Sequence, residues 1–429
     1  MKYEKISSSL FVSNREKFMS KMQKNSIAIF NSNDIMPTNA DGTMPFRQNN
    51  DLFWLSGVDQ EESILLLFPN HEDKTKREVL FLKETNQHIA IWEGQKLSKK
   101  DAFETSGIST VYWLSEFEEF LKKSMLKASH LYLNQNIHSR AENKVQTRDD
   151  RFRIYISKNY ADMSIKDAAP IMHKLRSIKS IVEVNLIKKA CDITENGFRR
   201  ILPFIKPGVM EYEIEAELIH EFINNQSRGF AYQPIIGSGI NSCVLHYIQN
   251  NSKCLEDEIL LMDFGAEYAN YASDMTRTVP VSGRFTLRQR AVYDSVLHVM
   301  KEATKMLRPG TMFADYNKEI GKIMQEELIK LGLLDRHDVL KQDDKNPLYK
   351  KYFMHGTSHY LGLDVHDVGS MEWPMQAGMV FTCEPGIYIP EEKIGIRLEN
   401  DILVTDNNPD DLMKNIPIDA EEIEMLMNL

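Results

Sequence analysis

Four acids sit inside or at the end of apolar runs that belong in a protein interior, and any fold of this chain must hold them there. Asp263 ends the run "ILLMDF" (259–264), and Asp274 opens "DMTRTV" (274–279). Glu384 ends "MVFTCE" (379–384), and Glu399 lies within "IGIRLENDILV" (394–404). These short apolar runs, bounded by Gly or Pro, read as strands. A carboxylate buried there without compensation gives up its charge or recruits a cation.

The spacing pairs the acids. If Ile259–Phe264 is one strand and Tyr271–Val279 its return, a two-residue turn at Tyr268-Ala269 sets Asp263 directly opposite Asp274. Directly opposed residues have β-carbons about 4.5–5.5 Å apart, where like charges repel. A shared proton, a neighbouring Lys or Arg, or a divalent metal would offset that repulsion. A looser turn would instead leave both acids in solvent. A second hairpin, turning at Glu391-Glu392, sets Glu384 opposite Glu399, and strand alternation places Arg397 and Asp401 on the Glu399 face.

The stretch "HGTSHYLGLDVHDVG" (355–369) adds His355, His359 and His366. Gly356 and Gly362 argue against a helix. The alternation of Leu361, Leu363 and Val365 with Gly362, Asp364 and His366 predicts a strand. Four carboxylates and an imidazole suit a pair of hard or borderline divalent ions such as manganese or zinc. Ions about 3.5–4 Å apart explain why the acids come in pairs.

Composition narrows the remaining possibilities. The 429 residues suggest two or three domains. A formal charge of −10 without any Lys/Arg-rich run argues against a nucleic-acid or anionic-membrane partner. No run of apolar residues is long enough to span a bilayer, and "MKYEKISSSLFVSNREKF" has no apolar signal core, so a cytoplasmic location is expected. Cys191, Cys243, Cys254 and Cys383 are scattered and read as reduced, mostly buried thiols.

The first part of the chain alternates short strands, "SIAIF" (26–30), "SILLLF" (63–68), "REVLFL" (77–82) and "HLYLN" (130–134), with an amphipathic helix at 114–126. That predicts an α/β domain over 1–172, followed by a second domain over 173–429. Ser180 with Glu183, and Thr286 with Gln289, are capping boxes that open long helices. "FIKPGVMEYEIEAELIHEFI" (204–223) echoes "MLRPGTMFADYNKEIGKIM" (306–324), so the second domain reads as two helix–helix–strand–strand halves with a site between them. "GSGIN" (237–241) lacks the Gly-Lys-Ser/Thr ending of a phosphate loop and reads as a glycine turn.

These motifs resemble the pita-bread metallopeptidases, and among them the aminopeptidase P (Xaa-Pro aminopeptidase) family. "MDFGAEYANYASDMTRT", "HGTSHYLGLDVHD", "CEPGIYI" and "GIRLEND" match its C-terminal motifs, and "PFRQNNDLFWLSG" (45–57) and "AIWEGQKL" (90–97) look like its N-terminal domain. The resemblance implies an α/β (α+β) protein, with a creatinase-like N-terminal domain and a pita-bread catalytic domain. It implies a dinuclear aminopeptidase that removes the residue before a proline from small peptides, with Xaa-Pro dipeptidase (prolidase) as the alternative. By the same resemblance, Asp263 binds one metal, Asp274 and Glu399 bridge, and His359 and Glu384 complete the second of two divalent ions, expected to be manganese. Glu384, His246 and His366 would be catalytic. His246, His355, His366, Tyr388, Arg397 and Trp92 would contact or frame the substrate. Trp92, read as lying in an exposed turn, would reach a neighbouring subunit of a homo-oligomer, a dimer or tetramer. Thr357 departs from the family, which has an aliphatic residue there.

Overall fold

A computed structural model of the chain describes residues 3–138, 140–141, 144–343 and 345–429. It divides into two compact units: Lys5–Arg176, and Ser177–Leu429 with the segment ending at Glu4.

The N-terminal unit is built on six strands, β1 (Ser26–Asn31), β2 (Ile64–Leu67), β3 (Glu78–Leu82), β4 (Thr110–Trp113), β5 (His130–Leu133) and β6 (Ser164–Asp167). They form a mixed sheet in the order β4-β3-β2-β1-β5-β6. The four strands read from the sequence are among them. Ile27, Ile29, Leu66, Phe81 and Leu131 are buried in its core, the outcome for strands covered on both faces. Seven helices accompany the sheet: α1 (Ser8–Met19), α2 (Asn50–Ser56), α3 (Gln87–Glu93), α4 (Lys99–Ser106), α5 (Phe117–Met125), α6 (Arg148–Asn159) and α7 (Ala169–Ser177). Trp92 lies in the last turn of α3 rather than in an open turn, because the Asn86 side chain accepts from the Ile89 N–H and starts a helix. None of the α3 residues is buried, and Trp92 is 76% exposed, so it does not enter the core of its own unit.

The C-terminal unit repeats one plan twice. Helix α8 (Ile181–Ile201) starts at the Ser180–Glu183 capping box and is followed by α9 (Glu211–Asn224) and the strands β7 (Ile235–Ser238), β8 (Ile259–Phe264), β9 (Glu267–Tyr268), β10 (Tyr271–Ala272) and β11 (Met275–Pro280). Helix α10 (Leu287–Met306) starts at the Thr286–Gln289 box and is followed by α11 (Phe313–Lys330), α12 (Arg336–Val339), β12 (Val380–Cys383), β13 (Gly386–Ile389), β14 (Ile394–Arg397), β15 (Asn400–Leu403), β16 (Asp410–Asp411) and α13 (Ala420–Met427). The repeat extends to individual hydrogen bonds. The Gly208 N–H donates to Cys254 O (2.9 Å), and the Cys254 N–H donates to Val209 O (2.9 Å). In the second half, the Gly310 N–H donates to Met375 O (2.9 Å), and the Met375 N–H donates to Thr311 O (2.9 Å). Both glycines are left-handed, φ 99° and 89°, as this Pro-Gly junction between helices requires. Asp263 and Glu384 stand at the same distance along the chain from Cys254 and Met375, so they are equivalent positions of the two halves.

The hairpins follow this plan, with one correction. In the second, Gly386 pairs with Arg397 and Cys383 with Asn400, the register that sets Glu384 opposite Glu399. In the first, Asp263 pairs with Thr276, not Asp274. The turn is at Ala269-Asn270, where both residues adopt left-handed φ (52° and 68°), as a primed two-residue turn demands. Asn tolerates that conformation better than the Tyr that the sequence reading had placed in the turn. The slip is two residues, so Asp274 stays on the Asp263 face.

Gly265 follows Asp263 closely and meets the returning strand at close range. A β-carbon there would lie 1.8 Å from the Ser273 carbonyl oxygen, so the two backbones approach as only glycine permits. Gly265→Ala is therefore expected to lower stability by about 1–3 kcal/mol, as overpacking does. Urea unfolding measures it, and an unchanged midpoint would show that the strand yields freely.

Candidate metal centre

Each half delivers acids to one buried point. Asp263 comes from β8, Asp274 from the step between β10 and β11, Glu384 from the end of β12, and Glu399 from the step between β14 and β15. The hairpins meet where the Glu399 N–H donates to Thr276 O (3.1 Å) and the Thr276 hydroxyl donates to Glu399 Oε2 (2.6 Å). Buried Arg277 clamps the junction from beneath, donating to Glu399 O (2.8 Å), Asn400 Oδ1 (2.7 Å) and Pro417 O (2.8 Å). His359 is held against β12: its N–H donates to Thr382 Oγ1 (3.1 Å), and the Thr382 N–H donates back to His359 O (3.0 Å). Only the stretch around 357–361 lies along β12. The predicted strand through His366 is absent, because the Gly362 N–H turns back to Asp364 O and the Asp367 N–H to Tyr360 O.

The geometry brings all five proposed ligands together. His359 Nε2 faces Asp274 Oδ2 at 3.4 Å and Glu384 Oε1 at 3.7 Å, while Nδ1 contacts the Tyr360 carbonyl at 3.0 Å. With Nδ1 donating to that carbonyl, Nε2 presents its lone pair to the acids, the arrangement of a metal-binding imidazole. Asp274, His359 and Glu399 each offer an atom lying within 4.8 Å of the others. His359 Nε2 thus faces two carboxylates at once, 3.4 Å from one and 3.7 Å from the other.

The electrostatics also call for cations. Burial raises the Glu399 carboxyl well above its usual range, and the charges of Asp274, Glu384 and Asp263 add to that. Burial pushes Glu384 up to about 7, against the pull of His359 and Arg397. Burial also raises Asp263, opposed by Arg397. Burial works on Asp274 in the same sense, but the bond to His359 and the Tyr232 hydroxyl leave it below its ordinary value. Four acids grouped this closely cannot all stay ionised without compensating positive charge. The donor set, carboxylates with one imidazole, fits divalent ions of the manganese or zinc kind.

The remaining sequence-predicted residues fall into three groups. Arg397 and Tyr388 are buried in the floor: Arg397 donates to Asp263 Oδ2 (2.6 Å), to the Tyr388 hydroxyl (2.8 Å) and to Thr276 Oγ1 (3.1 Å). His355 and His366 flank the acids. His355 Nε2 lies 2.8 Å from the Tyr388 hydroxyl and Nδ1 3.8 Å from Glu384 Oε2, and the His366 ring is 4.4 Å from that of His359. Burial and the nearby Arg397 lower His355 to about 4, so its ring is neutral at neutral pH. His246 is exposed on a turn after the 3-10 helix Gly239–Cys243, within electrostatic reach of His355. Trp92 belongs to the other unit. Gly239 in the "GSGIN" stretch has φ 53°, a glycine turn as read.

Three further residues support the acids: Tyr232 and Thr276, which the sequence does not mark, and Asp401, whose face it does. The Tyr232 hydroxyl lies 2.5 Å from Asp263 Oδ1 and 2.6 Å from Asp274 Oδ1. A phenol has one hydrogen, so one of these acid oxygens faces only lone pairs, a further mark of a site shaped around cations. Thr276 relays between Arg397 and Glu399. Asp401 Oδ2 accepts the Asp274 N–H (3.1 Å), while its Oδ1 is buried without a hydrogen-bond partner among the described residues. Tyr232 stands in "GFAYQPI", where nothing local marks it. Asp401, on the face already assigned to Glu399, was legible in position but not in role.

The chain is similar to known proteins along nearly its whole length. Residues 185–406 match metallopeptidase family M24, and residues 11–132 match the aminopeptidase P N-terminal domain. The chain is 34% identical to the Xaa-Pro aminopeptidase of Escherichia coli (strain K12) over 98% of each sequence. It is 30% identical to human Xaa-Pro aminopeptidase 3, covering 92% of this chain and 78% of that one. Among solved structures it is similar to Pseudomonas aeruginosa aminopeptidase PepP, with TM-score 0.90, 29% identity and coverage of 99% and 98%. It is also similar to aminopeptidase P from E. coli with the inhibitor Pro-Leu, with TM-score 0.88, 32% identity and 99% coverage of each chain.

Among the described residues Arg397 is the cation bonded to Asp263; the arginine is buried and the Asp263 side chain is 13% exposed. Removing one partner of such a pair strands the other. Arg397→Met should lower stability by about 3–5 kcal/mol in the presence of chelator. Chemical unfolding with and without manganese checks it. A loss below about 1 kcal/mol in chelator would mean that Asp263 sheds its charge instead of being stranded.

Proposed function

Because the chain belongs to metallopeptidase family M24 and is an aminopeptidase acting on peptides, we propose that it releases the N-terminal residue from peptides with proline second, using two divalent ions, expected to be manganese. The observation that carries this reading is the gathering of Asp274, Glu384 and Glu399 about His359, with Asp263 joined to Asp274 through the Tyr232 hydroxyl. In this reading Asp263, Asp274, His359, Glu384 and Glu399 would hold the ions.

When bound, such ions would lower the pKa of a water and polarise a carbonyl. The chain's residues do the rest. Glu384 takes the proton of that water and passes it to the leaving proline nitrogen. His246 donates a hydrogen bond to the developing oxyanion, and His366 holds the substrate carbonyl. Neutral His355 packs beside the proline ring, steadied by the Tyr388 hydroxyl. Arg397 and Tyr388 fix the orientation of Asp263 and His355 from below. A proline amide has no N–H, so the ring is selected by shape, worth about 1–3 kcal/mol per missing methylene. Pro-Leu, the inhibitor of the E. coli enzyme, begins with proline, as does the product of such a cleavage.

The N-terminal domain, 1–172, serves assembly and substrate access in this reading. The exposed Trp92, on a helix with no buried residue, is the surface through which a dimer or tetramer completes the pocket for the first substrate residue. The location is cytoplasmic; among the described residues no helix is long and apolar enough to cross a membrane.

A panel of Xaa-Pro-Xaa, Xaa-Pro and Xaa-Ala-Xaa peptides with manganese, cobalt and zinc tests the specificity. Cleavage of the tripeptide with proline second is expected, and activity on the dipeptide alone would make the enzyme a prolidase. Glu384→Gln should lower kcat by about 10²–10⁴-fold and leave KM near its parent value, because the lost interaction belongs to the transition state. An effect confined to KM removes Glu384 from the proton path. Sedimentation of the purified chain should show a dimer or tetramer, and Trp92→Ala should weaken peptide turnover. A fully active monomer, or an unaltered Trp92→Ala variant, contradicts the assembly.

A further inference from the structure

Glu211 is the first residue of α9 and is completely buried. Its Oε1 accepts from the Ser238 N–H (2.8 Å) and Asn241 Nδ2 (3.3 Å). Its Oε2 accepts from the Tyr247 hydroxyl (2.8 Å) and the Ser252 N–H (2.8 Å). An ionised carboxylate has about four acceptor positions, so this one is filled. All four donors belong to 238–252, the segment that leaves β7 and carries His246 on its exposed turn. The Glu211 N–H donates to Ser252 O (3.0 Å), and one helical turn on, Glu215 accepts from Asn250 Nδ2 (2.8 Å).

We propose that Glu211 is a positioning residue that acts through His246: its carboxylate ties both ends and the middle of the 238–252 loop and so fixes where the imidazole stands. The inference rests on the reading of His246 as a substrate-facing group. A buried charge is a poor device for stability alone, since desolvation offsets much of what its partners return. What it does well is hold several donors in one arrangement. This loop has little regular structure of its own beyond one 3-10 turn, and a carboxylate at a helix N-terminus is a favourable anchor. Tyr247, the neighbour of His246, is the central donor. It shares a core cluster with Ile235, Leu261 and Tyr388, and Tyr388 bonds to Arg397 and His355. The anchored loop is thus referenced to the floor of the site.

Glu211→Gln keeps the shape, removes the charge and turns an NH2 toward two donors. For an Xaa-Pro-Xaa peptide, kcat is expected to fall about tenfold to a hundredfold, the scale of a misplaced group. KM should move little, while the unfolding temperature should fall, because the buried NH2 leaves donors without an acceptor. In a His246→Ala background the same substitution should cost less than about twofold, because residues acting as one unit are not additive. If Glu211→Gln fails to fold, Tyr247→Phe removes a single donor, and its smaller kcat loss should likewise vanish in the His246→Ala background. An equal loss in both backgrounds, or none in either, overturns the positioning role while leaving His246 in place. A fully active His246→Ala overturns the reading of His246 itself, and the route through it.

Discussion

The C-terminal unit is organised around like charges that repel one another in a medium too dry to screen them. Asp263, Asp274, Glu384 and Glu399 approach from two hairpins, and burial drives most of them toward the neutral form. A chain that needed only stability would replace such a cluster with apolar side chains. Here the backbone instead brings the acids together and holds them with partners that leave several of their oxygens pointing inward. The chain belongs to metallopeptidase family M24, whose activity depends on divalent metal, and in the proposed reading these acids hold that metal.

The supporting shell is as specific as the acids. Arg397 balances one carboxylate, Thr276 relays to another, and Arg277 ties the hairpins together by their carbonyls. These contacts cross between the two halves of a duplicated plan. The duplication does not extend to the donors. Asp263 and Glu384 are equivalent, but Thr276 faces the first where Glu399 faces the second. The two halves have diverged at the positions where the centre needs different partners. Asp274 supplies a side chain to the centre, while Asp401, two residues beyond Glu399, supports the Asp274 backbone.

Much of this was legible because strand physics is periodic. Side chains alternate, so acids separated by the right number of residues share a face whatever the turn does within an even shift. That is why the Glu384–Glu399 register matches the structure, and why the first hairpin could slip by two residues without moving Asp274 off the shared face. The His stretch misled because alternation over Leu361, Leu363 and Val365 mimics a strand. Local hydrogen bonds at Gly362 and Asp367 bend the chain instead. Trp92 was placed in a turn because Gly94 follows it closely, but Asn86 upstream already starts a helix.

By itself the sequence determined the strands that carry the acids, two helix caps, the duplication, and the residue types able to hold divalent ions. These depend on local propensity and on spacing along the chain, which the order of residues carries directly. Only the tertiary structure decided that Tyr232 stands between Asp263 and Asp274, that Arg397 reaches Asp263, and that Glu211 anchors the loop of His246. Each of these contacts joins segments distant in sequence and uses a residue type common in many roles. Their meaning lies in where folding brings them together, because a hydrogen bond acts over about 3 Å of space regardless of separation along the chain.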